Sequence, residues 1–116
     1  MNIAKTTINT AIEVHENRHS SPYCKITCYR YIIRDGKPFA YLRLTTPRFV
    51  EKCVLEQDGD EVTMSPLDRR SGKSKTADIT RFGVDDSGPV KAIAYLLDSV
   101  VFTLAFTENR FAELGM

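Results

Sequence analysis

The sequence predicts an α+β domain, in which an antiparallel meander of about five strands is packed by one long C-terminal helix. Three observations predict it: alternating apolar and polar residues in the N-terminal part, two Asp-Gly dipeptides between alternating runs, and an unbroken helical pattern after Pro89. A length of 116 residues is typical of one domain, so residues 1–116 are expected to fold as a single unit.

The first element is predicted at Thr7–His15. Its apolar residues Ile8, Ile12 and Val14 all fall at even positions, with polar residues at most of the odd ones. This period of two favours a half-buried strand over the alternative, a short helix. The polar stretch that follows is typical of an exposed connection.

The centre of the chain predicts two hairpins. Tyr23–Ile33 alternates throughout and is rich in β-branched and aromatic residues, which is typical of a strand. Asp35-Gly36 comes directly after it and indicates a tight turn, because both residues tolerate positive φ. Asp58-Gly59 supplies a second turn. The further predicted strands are Phe39–Thr45, Phe49–Gln57, Glu61–Met64 and Thr76–Phe82.

The C-terminal helix is predicted to start after two aspartates and Ser87, with Pro89 at its first position. One helix is favoured from Pro89 to Phe111, although the β-branched and aromatic residues after Ser99 leave a shorter helix followed by a strand open. An apolar stripe for the sheet comprises Val90, Ile93, Leu97, Val101 and Leu104.

The reverse side of this helix carries Tyr95, Phe102 and Phe106, with Ser99 between them. A small domain has one core, so a second apolar side predicts a surface for a partner, unless another part of the chain covers it. We therefore expect these four residues to bind a protein, or to join two copies in a homodimer.

The charges divide unevenly along a chain whose net charge is +1. Residues 1–50 carry eight Lys/Arg and three Asp/Glu, whereas residues 51–116 carry eight Lys/Arg and twelve Asp/Glu. Such a dipolar molecule can steer the approach of a partner. The residues expected to do so lie in an acidic turn and a basic loop: Glu56, Asp58, Asp60, Glu61, Arg69, Arg70, Lys73 and Lys75.

The alternative function is nucleic-acid binding. The basic loop at 69–75 could hold phosphates, and Tyr23, Tyr29 and Tyr31 share one predicted strand face on which bases could stack. Lys25 and Arg43 would lie near them. A tyrosine row of this kind also fits ordinary packing beneath a helix.

Neither a metal site nor an active site is expected. His15 and His19 join three cysteines as potential ligands, but Cys24 and Cys28 on one strand would hold their sulfur atoms roughly 13 Å apart. Buried thiols account for all three cysteines, with Cys53 as the third. Gly72-Lys73-Ser74 lacks the context of a phosphate loop, and no catalytic motif or cofactor site is identified, so we expect a protein that is not an enzyme.

The odd number of cysteines and the lack of a signal segment predict a cytoplasmic protein. The least polar stretch, 92–106, is about fifteen residues long and contains Asp98, which is too short to cross a bilayer. Few basic residues flank it, so no binding to a membrane surface is expected.

The order of elements resembles that of small uncharacterised bacterial domains in which a strand meander is followed by a Gly-x-Asp element and one closing helix. The residues that carry the resemblance are Gly83-Val84-Asp85 and the run 90–97. In size and architecture the chain is also similar to toxin immunity proteins and to phage inhibitors of host defences. The resemblance implies a non-catalytic inhibitor that blocks a toxin or defence component by occupying its surface, with no site residues to carry over.

Overall fold

The computed structural model describes residues 3–19, 24–47, 50–67, 74–83 and 85–113, the last twelve by their backbone only. Two α-helices and five strands follow in the order α1 (Lys5–Arg18), β1 (Lys25–Arg34), β2 (Lys37–Thr45), β3 (Val50–Asp58), β4 (Glu61–Pro66), β5 (Lys75–Asp78) and α2 (Gly88–Glu113). A short 3-10 helix, Ile79–Phe82, joins β5 to α2. The predicted α+β class is confirmed.

The sheet is an antiparallel meander in which the strands lie side by side in chain order, β1 to β5. Both predicted hairpins are confirmed. Asp35 and Gly36 have φ angles of 53° and 77°, and Gly59 has a φ of 60°. The left-handed conformations of Asp35 and Gly36 explain Asp-Gly at the first turn. The second turn falls on Gly59 and Asp60, because Asp58 pairs with Glu61, and there Gly59 takes the left-handed conformation.

The core lies between one face of the sheet and the two helices, which also contact each other. We call this covered face the inner face and the opposite one the outer face. Residues with no more than 2% of their surface exposed come from every strand from β2 to β4 and from both helices. The largest are Ile8, Leu42, Leu44, Leu55, Met64, Ile93, Leu96 and Leu97.

The prediction of a strand at Thr7–His15 is wrong, because this segment belongs to α1. Ile8 and Ile12 are four residues apart, a spacing that suits a helix face as well as a strand face, and Ala11 and His15 complete the same buried stripe. Val14, which favoured the period of two, is 42% exposed.

A β-bulge interrupts β1 at Tyr29. Cys28 lies opposite Leu42, and Arg30 lies opposite the next residue along β2, Tyr41, so Tyr29 is an extra residue in the ladder. After the bulge, each residue of β1 lies on the face opposite to the one that the alternation from Lys25 to Cys28 predicts. The predicted single face for Tyr29 and Tyr31 is therefore wrong, since Tyr31 lies opposite the buried Ala40 and packs against the core.

The strand predicted at Thr76–Phe82 is shorter than expected, because it ends at Asp78 and continues as the 3-10 helix. The Asp78 carboxylate accepts hydrogen bonds from the backbone N–H and the hydroxyl of Thr80, at 2.9 and 2.7 Å, which begin this turn. Ile79 also donates to the backbone carbonyl of Asp60 at 2.7 Å, which holds the turn against the β3–β4 hairpin.

Helix α2 is continuous from Gly88 to Glu113, which confirms the single long helix. Its predicted stripe faces the core: Ile93 and Leu97 are fully buried, and Val90 and Val101 are half-buried. The side chain of Leu104 lies outside the described part. None of the helices in the described residues combines the length and apolar character that crossing a bilayer requires.

Candidate functional site

The outer face of the sheet is a surface that no described element covers. None of the side chains that the described strands direct to this face is buried, whereas the inner face of the same strands forms the core. The helices therefore leave the outer face open to solvent over the ranges that the structure describes.

Two tyrosines and three cations form a cluster on this face. The rings of Tyr29 and Tyr41 have their centroids 6.2 Å apart, and Tyr29 is 41% exposed. Arg43 and Lys52 lie over the Tyr29 ring at 5.5 and 5.8 Å, and Arg30 lies over the Tyr41 ring at 5.5 Å. These distances are within the range of cation–π attraction. We call these five residues the aromatic-basic cluster.

The bulge in β1 produces this arrangement. Because Tyr29 is an extra residue, it and Arg30 are both exposed instead of pointing to opposite faces. Arg30 thereby comes opposite Tyr41, and Tyr29 comes beside Arg43. The alternation in the sequence contains no sign of this change.

Further basic residues surround the cluster. Arg34 lies over the ring of Phe39 at 5.9 Å, and the register places Lys25 and Lys37 on the same face. The outer side of β1, β2 and the first half of β3 thus carries six basic residues: Lys25, Arg30, Arg34, Lys37, Arg43 and Lys52.

The acidic turn lies at one end of this basic area. Asp58, Asp60 and Glu61 are exposed at the β3–β4 hairpin, and Glu56 is half-buried beside Phe39. Asp58 forms an ion pair with Lys37 at 3.5 Å, at the boundary of the two areas. The outer face therefore has a basic part and an acidic end.

The basic loop of the sequence prediction is largely outside the described residues, since Arg69, Arg70 and Lys73 all fall there. Lys75 is described and half-buried in β5. Its ammonium group donates a hydrogen bond to the Ser99 hydroxyl of α2 at 2.7 Å, so this lysine links the sheet to the helix.

Of the tyrosines that the sequence placed together, Tyr29 lies on the outer face and Tyr31 does not. Tyr23 is outside the described residues. Tyr31 points toward the core, where its hydroxyl donates to the backbone carbonyl of Ile3, and burial raises its pKa. Tyr41, which the sequence analysis did not consider, takes the second place in the cluster.

The predicted partner stripe on α2 is described in part. Tyr95 is 53% exposed and its ring lies 5.6 Å from that of Phe82. Ser99 is half-buried. Phe102 and Phe106 belong to the continuous helix, but their side chains lie outside the described part, so their exposure stays a prediction.

The expectation of three buried thiols holds for one cysteine, and the other two are less buried. Cys53 is buried on the inner face, and Cys24 and Cys28 are half-buried against the core. Burial is the main cause that raises the pKa of the Cys53 thiol to about 12, with smaller contributions from Cys24 and Glu51. Burial also raises the pKa of Cys28. Such thiols are poor nucleophiles near neutral pH.

The two histidines meet a carboxylate that the sequence analysis did not connect with them. Asp98 of α2 contacts His15, and its Oδ1 lies 2.8 Å from Nε2 of His19. A sequence signal exists: residues 15–19 read His-Glu-Asn-Arg-His, the H-E-x-x-H spacing that puts two imidazoles on one side of a helix. Because residues 7–15 were predicted as a strand, this helical spacing was not recognised in the sequence.

Comparison with known proteins gives no relative from which a role could be carried over. The chain matches no protein-family model, and neither a curated protein nor a solved structure matches it.

Proposed function

We propose that this protein binds single-stranded nucleic acid on the outer face of its sheet. One observation carries the proposal. The ring centroids of Tyr29 and Tyr41 are 6.2 Å apart on an uncovered face, and cations lie over both rings. This is the alternative function that the sequence left open, and residues from three strands support it. The proposed residues differ from those of the sequence prediction. Tyr41 replaces Tyr31, and basic residues of the strands replace those of the loop at 69–75.

Aromatic rings on an open sheet can stack unpaired bases, since every base has a flat apolar face. Stacking of one base on such a ring contributes ~1–3 kcal/mol. Arg30 and Arg43 are compatible with stacking, because the planar guanidinium group can itself stack on a base. A bound strand would lie across β1, β2 and β3.

The charges of the outer face suit a phosphate backbone. The six basic residues surround the rings, and the acidic turn lies at one end of them. The near-neutral net charge of the chain does not weaken this argument, because affinity depends on the charges near the bound phosphates. The acidic end would keep the strand on the basic part.

Fluorescence anisotropy with labelled oligo-uridine and oligo-thymidine of about ten nucleotides tests the proposal. We expect binding that weakens as salt rises, with a slope of about 0.7 per phosphate contacted. Tyr29→Ala should weaken binding about five- to 150-fold, which corresponds to the loss of stacking of one base. Arg43→Ala and Lys52→Ala should also reduce the salt dependence.

Lys91→Gln is the matched control, because Lys91 is an exposed cation on α2, away from the sheet. Its variant should bind like the wild type. Absence of binding at low salt would contradict the proposal, and so would an equal loss for Lys91→Gln and Lys52→Ala. Circular dichroism checks that every variant is folded.

A second candidate is the protein-binding function expected from the sequence, namely an inhibitor or immunity protein that acts through α2. The observation in its favour is Tyr95, a large side chain that is 53% exposed on a continuous helix. Exposed aromatic residues are frequent anchors of protein interfaces.

The same surface of α2 could instead join two copies of this chain in a homodimer. Light scattering over a range of concentrations should then give a dimer for the wild type and a monomer for Tyr95→Ala. A wild type that stays monomeric throughout would contradict the dimer.

A further inference from the structure

Three side chains with metal-binding groups converge where the end of α1 crosses α2. His15 and His19 come from the last turn of α1 and the residue after it, and Asp98 comes from α2. One possible ligand atom from each residue lies within 4.8 Å of the other two. Asp98 Oδ1 contacts Nδ1 of His15 and Nε2 of His19. The sequence separation of 83 residues shows that the tertiary fold brings them together.

The helix places both imidazoles on one side. Positions four residues apart lie on the same face of an α-helix, and the two rings have their centroids 4.8 Å apart. The backbone N–H of His19 donates to the carbonyl of His15 at 3.0 Å, so the helical turn is maintained up to the second histidine. Both ring nitrogens then meet the same oxygen of Asp98.

We propose that His15, His19 and Asp98 bind a divalent transition-metal ion, of which Zn²⁺ fits best. Two imidazole nitrogens and one carboxylate oxygen are a frequent set of three protein ligands for Zn²⁺, with water in the fourth position. The three cysteines take no part, because among the described residues the group of possible ligand atoms within 4.8 Å of one another comprises His15, His19 and Asp98 alone.

A zinc ion between these ligand atoms requires side-chain rotations that move the Asp98 carboxylate away from both imidazoles. In a tetrahedral zinc site with bonds of ~2.0–2.2 Å, ligand atoms are about 3.3–3.5 Å apart. Asp98 Oδ1 would move away from His19 Nε2 by roughly half an ångström from its present 2.8 Å. The ion would replace the protons that now lie between these atoms.

The burial of the three residues leaves one open side. The His15 side chain is 2% exposed, that of Asp98 is 26% exposed, and that of His19 is 45% exposed. His15 and Asp98 form the inner side of the site, while His19 borders on solvent, from which an ion and its water ligand can enter.

Arg18 is the charged neighbour of the site. Its Nη1 lies 3.5 Å from Oδ2 of Asp98, the oxygen that does not contact the histidines, and its side chain is 67% exposed. In a metal-bound state this guanidinium can keep the second carboxylate oxygen and so orient the first one toward the ion. Arg18 is therefore assigned as a positioning residue.

Titration with Zn²⁺ followed by isothermal calorimetry, and with Co²⁺ followed by visible absorption, tests the site. We expect one ion per chain and Co²⁺ bands in the visible region that lack the sulfur-to-metal absorption of a thiolate site. His19→Ala and Asp98→Ala should each weaken binding by more than about tenfold, because even outer partners of metal sites change affinity that much. Arg18→Ala should have a smaller effect.

Glu13→Ala is the matched control, since Glu13 is an exposed carboxylate on the same helix. His15 is buried, so His15→Ala can disturb folding, and the exposed His19 supplies the test that does not depend on it. Binding that survives both His19→Ala and Asp98→Ala would overturn the proposal. Binding that needs the cysteines, or none at all with Zn²⁺ and Co²⁺, would overturn it as well.

Discussion

The inner and outer faces of the sheet come from the same strands but have opposite chemistry. In β2, Ala40, Leu42 and Leu44 are buried beneath the helices, and the residues between them, Tyr41 and Arg43, are half-buried or exposed on the open side. The inner face therefore determines stability, and the outer face can carry charge and aromatic rings at little cost to folding. This separation is what makes the outer face suitable for binding.

The largest effect should come from Leu42→Ala. Leu42 is fully buried, so removing its side chain leaves a cavity and should lower the free energy of unfolding by ~2–5 kcal/mol. Urea denaturation measures this change. Its neighbour on the outer face provides the control, because Arg43→Ala should change stability by no more than about 0.5 kcal/mol. Similar losses for the two variants would contradict the division between the faces.

Cys53, on the inner face, should make the folded protein less stable at alkaline pH. Because burial raises the pKa of its thiol from 9.0 to about 12, the folded chain holds a proton that the unfolded chain loses. The contribution to stability is complete below pH 9 and is lost as pH rises toward 12, by ~1.4 kcal/mol per pH unit.

Urea denaturation at several pH values between neutral and alkaline measures this slope for the wild type and for Cys53→Ala. Other groups that titrate in this range affect both proteins, so the difference between the slopes belongs to Cys53. If the free energy of unfolding depends on pH in the same way for both proteins, burial does not raise the pKa of Cys53.

The bulge offers a matched pair of tyrosines on opposite faces. Tyr31→Phe removes the hydrogen bond to the carbonyl of Ile3 and should cost ~0.5–1.5 kcal/mol of stability. Tyr29→Phe on the outer face should stay within about 0.5 kcal/mol of the wild type. Thermal denaturation followed by circular dichroism compares them, and the reverse order would place the two rings on the wrong faces.

The smallest effect is expected at Asp78, an exposed residue at the end of β5. Hydrogen bonds from Thr80 are the main cause that lowers its pKa from 3.8. Its contribution to stability is therefore present above about pH 4 and lost as pH falls below that value. Asp78→Asn should slightly flatten the acid side of a plot of melting temperature against pH. An unchanged acid side would mean that these hydrogen bonds do not persist in solution.

Local chemistry made the sheet predictable. Asp35-Gly36 and Gly59 determine the two turns by backbone conformation, and the alternation of β2 and β3 follows from having one covered face. The start of α2 was predictable to within one residue, since the helix begins at Gly88 and not at Pro89. Asp85 accepts a hydrogen bond from the backbone N–H of Ser87 at 3.0 Å in the turn just before it.

Apart from the H-E-x-x-H spacing of His15 and His19, the candidate sites depend on features that no local pattern contains. The spacing of Ile8 and Ile12 fits a helix and a strand equally well, and only packing against α2 and the sheet decides between them. The bulge at Tyr29 shifts the register between β1 and β2, and no glycine in the sequence indicates its position. His15 and Asp98 meet only because α1 packs on α2. The fold was thus largely readable from the sequence, and the sites were not.

The open end of the meander at β1 has a consequence for solubility at high concentration. This strand is ten residues long and forms the border of the sheet, where unpaired backbone groups can recruit the same strand of another molecule. Lys25, Arg30 and Arg34 repel such a copy, and the irregular backbone at Tyr29 spoils its alignment. The features that we assign to ligand recognition would at the same time guard the molecule against growing into fibrils.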